Sequence, residues 1–197
     1  GDEPTLPKNE LSPTKPISPY GYEKLMGEQY MKLYSELYSV ETVSLRYFNV
    51  YGQRQQASSD YSGVISIFED KFKNENIPNI YGDGIQYRDF IHVEDLAIAH
   101  IKALLYIMQK KQSLTLNLGT GVGCSVREMV TAVEEYTKTK LSITYAPKRN
   151  GEPSSVVCDP TKAMQYLNFK CQHSSIKTII ETAYNWHQNL LKRKLVV

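Results

Sequence analysis

A phenol and an ammonium four residues apart, Tyr20 and Lys24, are the groups of this sequence best placed to move a proton. They stand in Ser18-Pro19-Tyr20-Gly21-Tyr22-Glu23-Lys24, where Ser18 suits a helix N-cap and Pro19 the first helical position. Leu25, Met26, Tyr30, Leu33, Tyr34, Leu37 and Tyr38 then recur at helical spacing, which predicts a helix to about Ser39. Tyr20 and Lys24 are i and i+4 on one face of it. A neighbouring ammonium favours phenolate over phenol, and the positive end of the helix dipole acts the same way on a first-turn tyrosine. Such a phenol suits removal of a proton from an alcohol near neutral pH. The same spacing recurs at Tyr106/Lys110, Tyr136/Lys140 and Tyr166/Lys170. Those pairs lie at helix ends or in charged stretches and read as structural.

Two arginines, Arg88 after the glycines of Tyr81-Gly82-Asp83-Gly84-Ile85-Gln86-Tyr87-Arg88-Asp89 and Arg149 in Arg149-Asn150-Gly151-Glu152-Pro153, carry forks that suit phosphate oxygens. Asn49 follows a β-branched and aromatic run, Thr42–Phe48, that reads as a strand; its carboxyl end is where open α/β sheets bind ligands. No set of metal ligands is visible around His92 and His100, which read as structural histidines, and Trp186 reads as a core or interface anchor.

The Tyr20/Lys24 segment, Leu45-Arg46-Tyr47-Phe48-Asn49-Val50-Tyr51-Gly52 and Tyr81 to Asp95 together resemble, in order and spacing, the extended short-chain dehydrogenase/reductase family. The resemblance is to its nucleotide-sugar 4-epimerases, of the UDP-glucose or UDP-N-acetylglucosamine type, and runs from Gly1 to about Leu167. It implies a Rossmann-type α/β enzyme with a smaller substrate domain, NAD as cofactor, a UDP-sugar substrate and a homodimer. It implies Tyr20 as the base, with Lys24 beside it and bonded to the nicotinamide ribose. Phe48 would border the nicotinamide, and Asn49 would bind the nucleotide sugar. Tyr81 would line the uracil pocket, or be a core aromatic of its strand. Arg88 and Arg149 would grip the diphosphate, and Glu152 would contact the ribose. Pro153-Ser154-Ser155-Val156 departs from the basic or aromatic residue that often follows in the family, which leaves the sugar end of the pocket unassigned. A 4,6-dehydratase, a decarboxylase and a non-catalytic folding or oligomerisation piece are the alternatives.

A Rossmann enzyme seats the cofactor pyrophosphate on a glycine-rich strand-to-helix turn, and neither G-x-x-G-x-x-G nor G-x-G-x-x-G occurs here. The expectation is therefore a chain lacking the N-terminal mononucleotide-binding half. Residues 1-52 and 93-120 would be the remainder of the Rossmann-type domain, and 53-92 and 121-197 the substrate domain. Taken alone, such a chain is expected to be inactive.

Composition sets the outer bounds. The 197 residues are 41% hydrophobic and 22% charged, as in a soluble globular protein. A net charge of +2 with scattered basic residues argues against a nucleic-acid partner, Lys192-Arg193-Lys194 being a solvated tail. No apolar run is long enough to span a membrane. Cys124, Cys158 and Cys171 are odd in number and lack metal-ligand spacing, which favours reduced thiols in a cytoplasm. Further along the chain, Gln53–Ser62 reads as a loop, Val64–Lys73 as a helix, and Ile80–Tyr81 and Asp89–Val93 as strands. A helix capped by Asp95 runs to about Gln109, and Leu114–Leu118 is a buried strand stopped by Gly119-Thr120-Gly121. Ser125-Val126-Arg127-Glu128 is a capping box opening a helix to Lys138. A strand at Leu141–Ala146 and two helices, from Asp159-Pro160 to Leu167 and from Ser174 or Ser175 to about Leu191, complete an α/β alternation.

Overall fold

The computed structural model describes residues 1–55 and 79–194; the expected helix at Val64–Lys73 and most of the loop before it lie outside these residues. Helix α1 (Pro19–Tyr38) begins as its sequence dictates: the Ser18 hydroxyl accepts from Gly21 N at 3.1 Å with Pro19 in the first turn, and Ser39 ends it in the left-handed conformation. Strand β1 (Val43–Tyr47) pairs in parallel with β5 (Leu114–Leu118), from Val43↔Leu114 to Tyr47↔Leu118. Strands β2 (Asn49–Tyr51), β4 (Tyr87–His92) and β6 (Gly123–Ser125) make a second sheet, β2 parallel and β6 antiparallel to the central β4. A third pair joins β3 (Asn79–Tyr81) to β7 (Thr144–Ala146), so the strand expected from Leu141 is shorter than its apolar run.

The helices are α2 (Val93–Lys110), α3 (Val126–Thr137), α4 (Thr161–Leu167) and α5 (Ile176–Lys194). Two cores result. Ile91, Leu96, Ala99, Leu116, Leu118, Leu167 and Phe169 fill the space between β5, α2 and α4. Tyr51, Phe90, Met129, Val133, Ile179 and Ile180 fill that between the β4 sheet and the α3–α5 pair. By contrast, α1 buries no residue, although it carries nine of the larger apolar or aromatic side chains left exposed. Its firmest anchor is polar: Arg46 of β1 grips Glu28 bidentately (Nε to Oε2 2.7 Å, Nη2 to Oε1 2.6 Å) and donates to Glu10 O.

The capping box holds as read, with Glu128 N donating to Ser125 Oγ and Ser125 N to Glu128 Oε2. One helix start differs from expectation. His92, not Asp95, caps α2: its Nδ1 accepts from Glu94 N at 3.2 Å. Asp95 lies one turn in and is fully buried, where it accepts from Gln172 N, His173 N and Ser174 Oγ. A buried carboxylate needs several donors, and the 172–174 turn supplies three at once. Ser175 then caps the last helix, accepting from Thr178 N.

Candidate functional site

The first turn of α1 presents Tyr20 half exposed, with Lys24 Nζ 5.1 Å from the ring centroid. The ammonium thus lies over the ring face, a cation–π arrangement. The other tyrosines of the same spacing are engaged otherwise. Tyr106 is buried and donates to Gln112 Oε1 at 2.7 Å, Tyr166 meets Tyr106 edge-on, and Tyr136 meets Tyr184 edge-on.

The loop after β7 approaches the same turn. Gly151 has φ +79°, and a Cβ there would stand 3.1 Å from Ile17 O and 3.3 Å from Ser18 Cβ. A residue without a side chain makes that approach in that conformation without strain. Arg149 and Glu152, two residues before it and one after, are thereby held beside the entry to α1. The Arg149 guanidinium covers the half-buried Tyr81 ring, 3.8 Å from its centroid, so Tyr81 is a platform for the arginine at the end of β3.

Arg88 is 8% exposed in the middle sheet. Its Nη1 donates to Tyr87 O (3.0 Å) and Ser154 O (3.1 Å), and its Nη2 to Glu152 Oε1 (2.9 Å) and Pro153 O (2.8 Å). Arg88 and Glu152 are therefore brought together as an ion pair. Phe48 and Asn49 sit half-buried where β1 passes into β2: Phe48 N donates to Leu118 O, and Asn49 stands opposite Phe90.

Three residues that hold this arrangement were not singled out from the sequence. Asp89, fully buried beside Arg88, accepts from Thr120 N, Thr120 Oγ1, Gly121 N and Cys158 N. The Gly-Thr-Gly turn after a buried strand was a usable signal, since its clustered N–H groups call for an anion. Asp2 accepts from Ser154 N and Oγ, bonds that hold its carboxyl below the usual range. Lys8 bridges to Cys158, its carbonyl accepting from Asn117 Nδ2 and Asp159 N. Nothing in the local sequence marks Asp2 or Lys8. Burial pushes the thiols up, Cys124 and Cys171 to about 11 and Cys158 further, so none is a ready nucleophile. Among the described residues no group of His, Cys, Asp or Glu could hold a metal, and no helix is long and apolar enough to cross a membrane.

The first 119 residues match the sequence model of the NAD dependent epimerase/dehydratase family. The UDP-glucose 4-epimerase of Lactobacillus helveticus is 34% identical over 196 residues, covering 93% of this chain and 59% of the relative. That of Lacticaseibacillus casei is 35% identical over 201 residues, covering 96% and 61%. Among solved structures, a UDP-glucose-4-epimerase of Stenotrophomonas maltophila with bound NAD and formylated UDP-arabinopyranose superposes with TM-score 0.89 at 28% identity, over 98% of this chain and 61% of that one. A UDP-N-acetylglucosamine 4-epimerase of Methanobrevibacter ruminantium in complex with UDP-N-acetylmuramic acid gives TM-score 0.86 at 28% identity, over 96% and 60%. The chain spans about three fifths of the length of these relatives. Sheets, capped helix start and arginine loop have the α/β Rossmann-type epimerase architecture, and with 119 of its 197 residues in the match the chain belongs to the NAD dependent epimerase/dehydratase family.

Proposed function

We propose that the protein carrying this chain inverts C4 of a UDP-hexose, and that this chain supplies its proton-transfer pair and its diphosphate clamp. What supports the reading is the close approach of Gly151 to Ile17 and Ser18, which sets the Tyr20 turn and the Arg149–Glu152 loop side by side. In this reading 1-52 with 93-120 and 53-92 with 121-197 are the two domains, and the β2–β4 ladder ties them together.

Tyr20 takes the proton of the C4 hydroxyl, with the Lys24 ammonium over its ring. Arg88 and Arg149 hold the diphosphate from a buried and an exposed position, so the sugar is tethered through a group remote from its reacting carbon. Tyr20, Lys24 and Phe48 fit the nicotinamide end of NAD in their chemistry: a phenol and an ammonium at a helix start, with an aromatic at the exit of the adjoining strand. NAD, when bound, supplies a reversible hydride acceptor. While C4 is a ketone Tyr20 would hold the proton, and once the sugar has turned within the site Tyr20 would return it to the C4 oxygen. A cytoplasmic homodimer accords with this reading, the exposed apolar side chains of α1 and of α2 (Ile101, Leu104, Leu105, Met108) being available for contact.

The test is product identity. The protein carrying this chain, given NAD, should interconvert UDP-sugars that differ only at C4. Loss of water would instead indicate a 4,6-dehydratase, and loss of carbon dioxide from a uronic acid a decarboxylase.

A further inference from the structure

The peptide plane between Pro153 and Ser154 is held from both ends. Its carbonyl, Pro153 O, accepts from Arg88 Nη2 at 2.8 Å, and its N–H, that of Ser154, donates to Asp2 Oδ1 at 2.8 Å. The unit is planar and trans, so the two groups point opposite ways and cannot turn separately. Asp2 and Arg88 therefore face each other across one rigid peptide. The same carboxylate oxygen accepts from Ser154 Oγ at 2.7 Å, and Ser154 O accepts from Arg88 Nη1 at 3.1 Å.

The flanks of this peptide are tied down by other groups. Beyond it, Tyr87 N donates to Ser155 Oγ, Val156 bridges to Arg88 and Cys158 to Lys8. Before it, Gly151 is packed on Ile17 and Ser18. Asp2 is exposed and fills no core, so its part is confined to the hydrogen bonds it accepts. Arg88 is buried, and its guanidinium stands where its carbonyl acceptors let it stand. We propose that Asp2 is a positioning residue for the diphosphate site, acting on Arg88 through the Pro153–Ser154 peptide. The inference rests on the nucleotide-sugar reading above. A carboxylate on the N–H also polarises the peptide and strengthens its carbonyl as an acceptor for the guanidinium. By its charge alone an acidic side chain near an anion site repels the anion, so removing it would tighten binding. As a positioning group its removal loosens binding, and the two roles differ in sign.

Calorimetric titration of the protein carrying this chain with UDP tests it, thermal midpoints confirming that each variant folds. Asp2→Ala leaves Ser154 N–H without this acceptor, and UDP should bind about three- to tenfold more weakly, the scale of one or two hydrogen bonds. Asp2→Asn removes the charge but keeps an oxygen for both donors, and should recover most of that loss. Unchanged or tighter binding by Asp2→Ala, or an Asp2→Asn variant no better than Asp2→Ala, overturns the inference. Arg88→Gln alone should cost about tenfold or more, the scale of a hydrogen bond to a charged group. On that background Asp2→Ala should change UDP affinity by less than about twofold, because the group it positions is gone. Two fully additive losses would overturn the positioning role as well. Unchanged UDP affinity in Arg88→Gln, or no UDP binding by the unaltered protein, overturns the nucleotide reading itself and this inference with it.

Discussion

At the scale of single residues, four tyrosines share one spacing to a lysine, and their surroundings separate them. Tyr20 stands half exposed in a first turn with Lys24 over its ring, and Tyr106 is buried with its hydroxyl donating to Gln112. On the proposed epimerase reading, Tyr20→Phe in the protein carrying this chain is expected to lower kcat by about 10² or more, the usual weight of a general base, with an unchanged melting temperature. Tyr106→Phe should leave kcat alone and cost about 1 kcal/mol of stability, the scale of one lost hydrogen bond. Equal turnover in the wild type and Tyr20→Phe would remove Tyr20 from the chemistry. Gly151 makes a second test at this scale. Its φ of +79° disfavours any side chain, and a methyl there would press on Ile17 O at 3.1 Å. Gly151→Ala should cost about 1–2 kcal/mol for the left-handed backbone alone. It should also weaken UDP binding, because the loop must retreat from α1; a calorimetric affinity equal to wild type would show that the junction does not shape the site.

At the scale of elements, buried carboxylates and imidazoles do the joining that apolar packing does elsewhere. Asp89 ties β4 to the turn after β5 and to the Cys158 segment through four donors. Asp89→Asn keeps the shape but turns one acceptor oxygen into a donor facing N–H groups, which should cost about 3 kcal/mol, as when one partner of a buried charged network is lost. Denaturant unfolding within a few tenths of a kcal/mol of wild type would contradict this role. His92 caps α2 through Nδ1 and contacts Thr182 Oγ1 through Nε2 at 3.1 Å, an arrangement suited to the neutral ring. Burial pulls it below its ordinary value of about 6.5. The unfolded chain therefore binds a proton as pH falls past about 6.5, before the folded protein does. Stability should decline from there down through the lowered value and then level off, insofar as His92 governs it. The urea midpoint should fall between pH 7.5 and 5.5, and His92→Gln should flatten that dependence. The carboxyls held low by hydrogen bonds, Asp2, Glu128 and Asp159, lose their contribution only in a separate, more acidic window.

At the scale of the whole molecule, the buried clusters draw on the other elements, while α1 contributes no fully buried residue. Its exposed Tyr22, Met26, Tyr30, Leu33, Tyr34, Leu37 and Tyr38 form a surface of the kind that other protein covers, and β1 pairs with β5 alone among the described strands. The 197 residues purified by themselves should associate with rising concentration in sedimentation analysis. They should also fail to bind NAD in equilibrium dialysis, since their sequence holds no glycine-rich turn for the pyrophosphate. Micromolar NAD binding, or a stable monomer with a sharp unfolding transition, would show that these residues are self-sufficient.

The sequence by itself determined what local chemistry decides. Ser18-Pro19 and the Ser125–Glu128 box set helix starts because capping involves groups two or three residues apart. The buried β5 strand and the Tyr20/Lys24 spacing were legible for the same reason. The α/β alternation and the family resemblance likewise followed from order along the chain. Tertiary structure decided whatever depended on partners distant in sequence. Asp95 carries the side chain of a cap, yet a turn some 77 residues away claims its carboxylate. Strand β6 forms because β4 presents an open edge to it, not because Gly-Cys-Ser favours a strand. Arg88 read as a phosphate-suited fork after two glycines, and in the fold it is buried and paired with Glu152, 64 residues further on. Burying a guanidinium requires acceptors on every side, and only the folded chain brings those together.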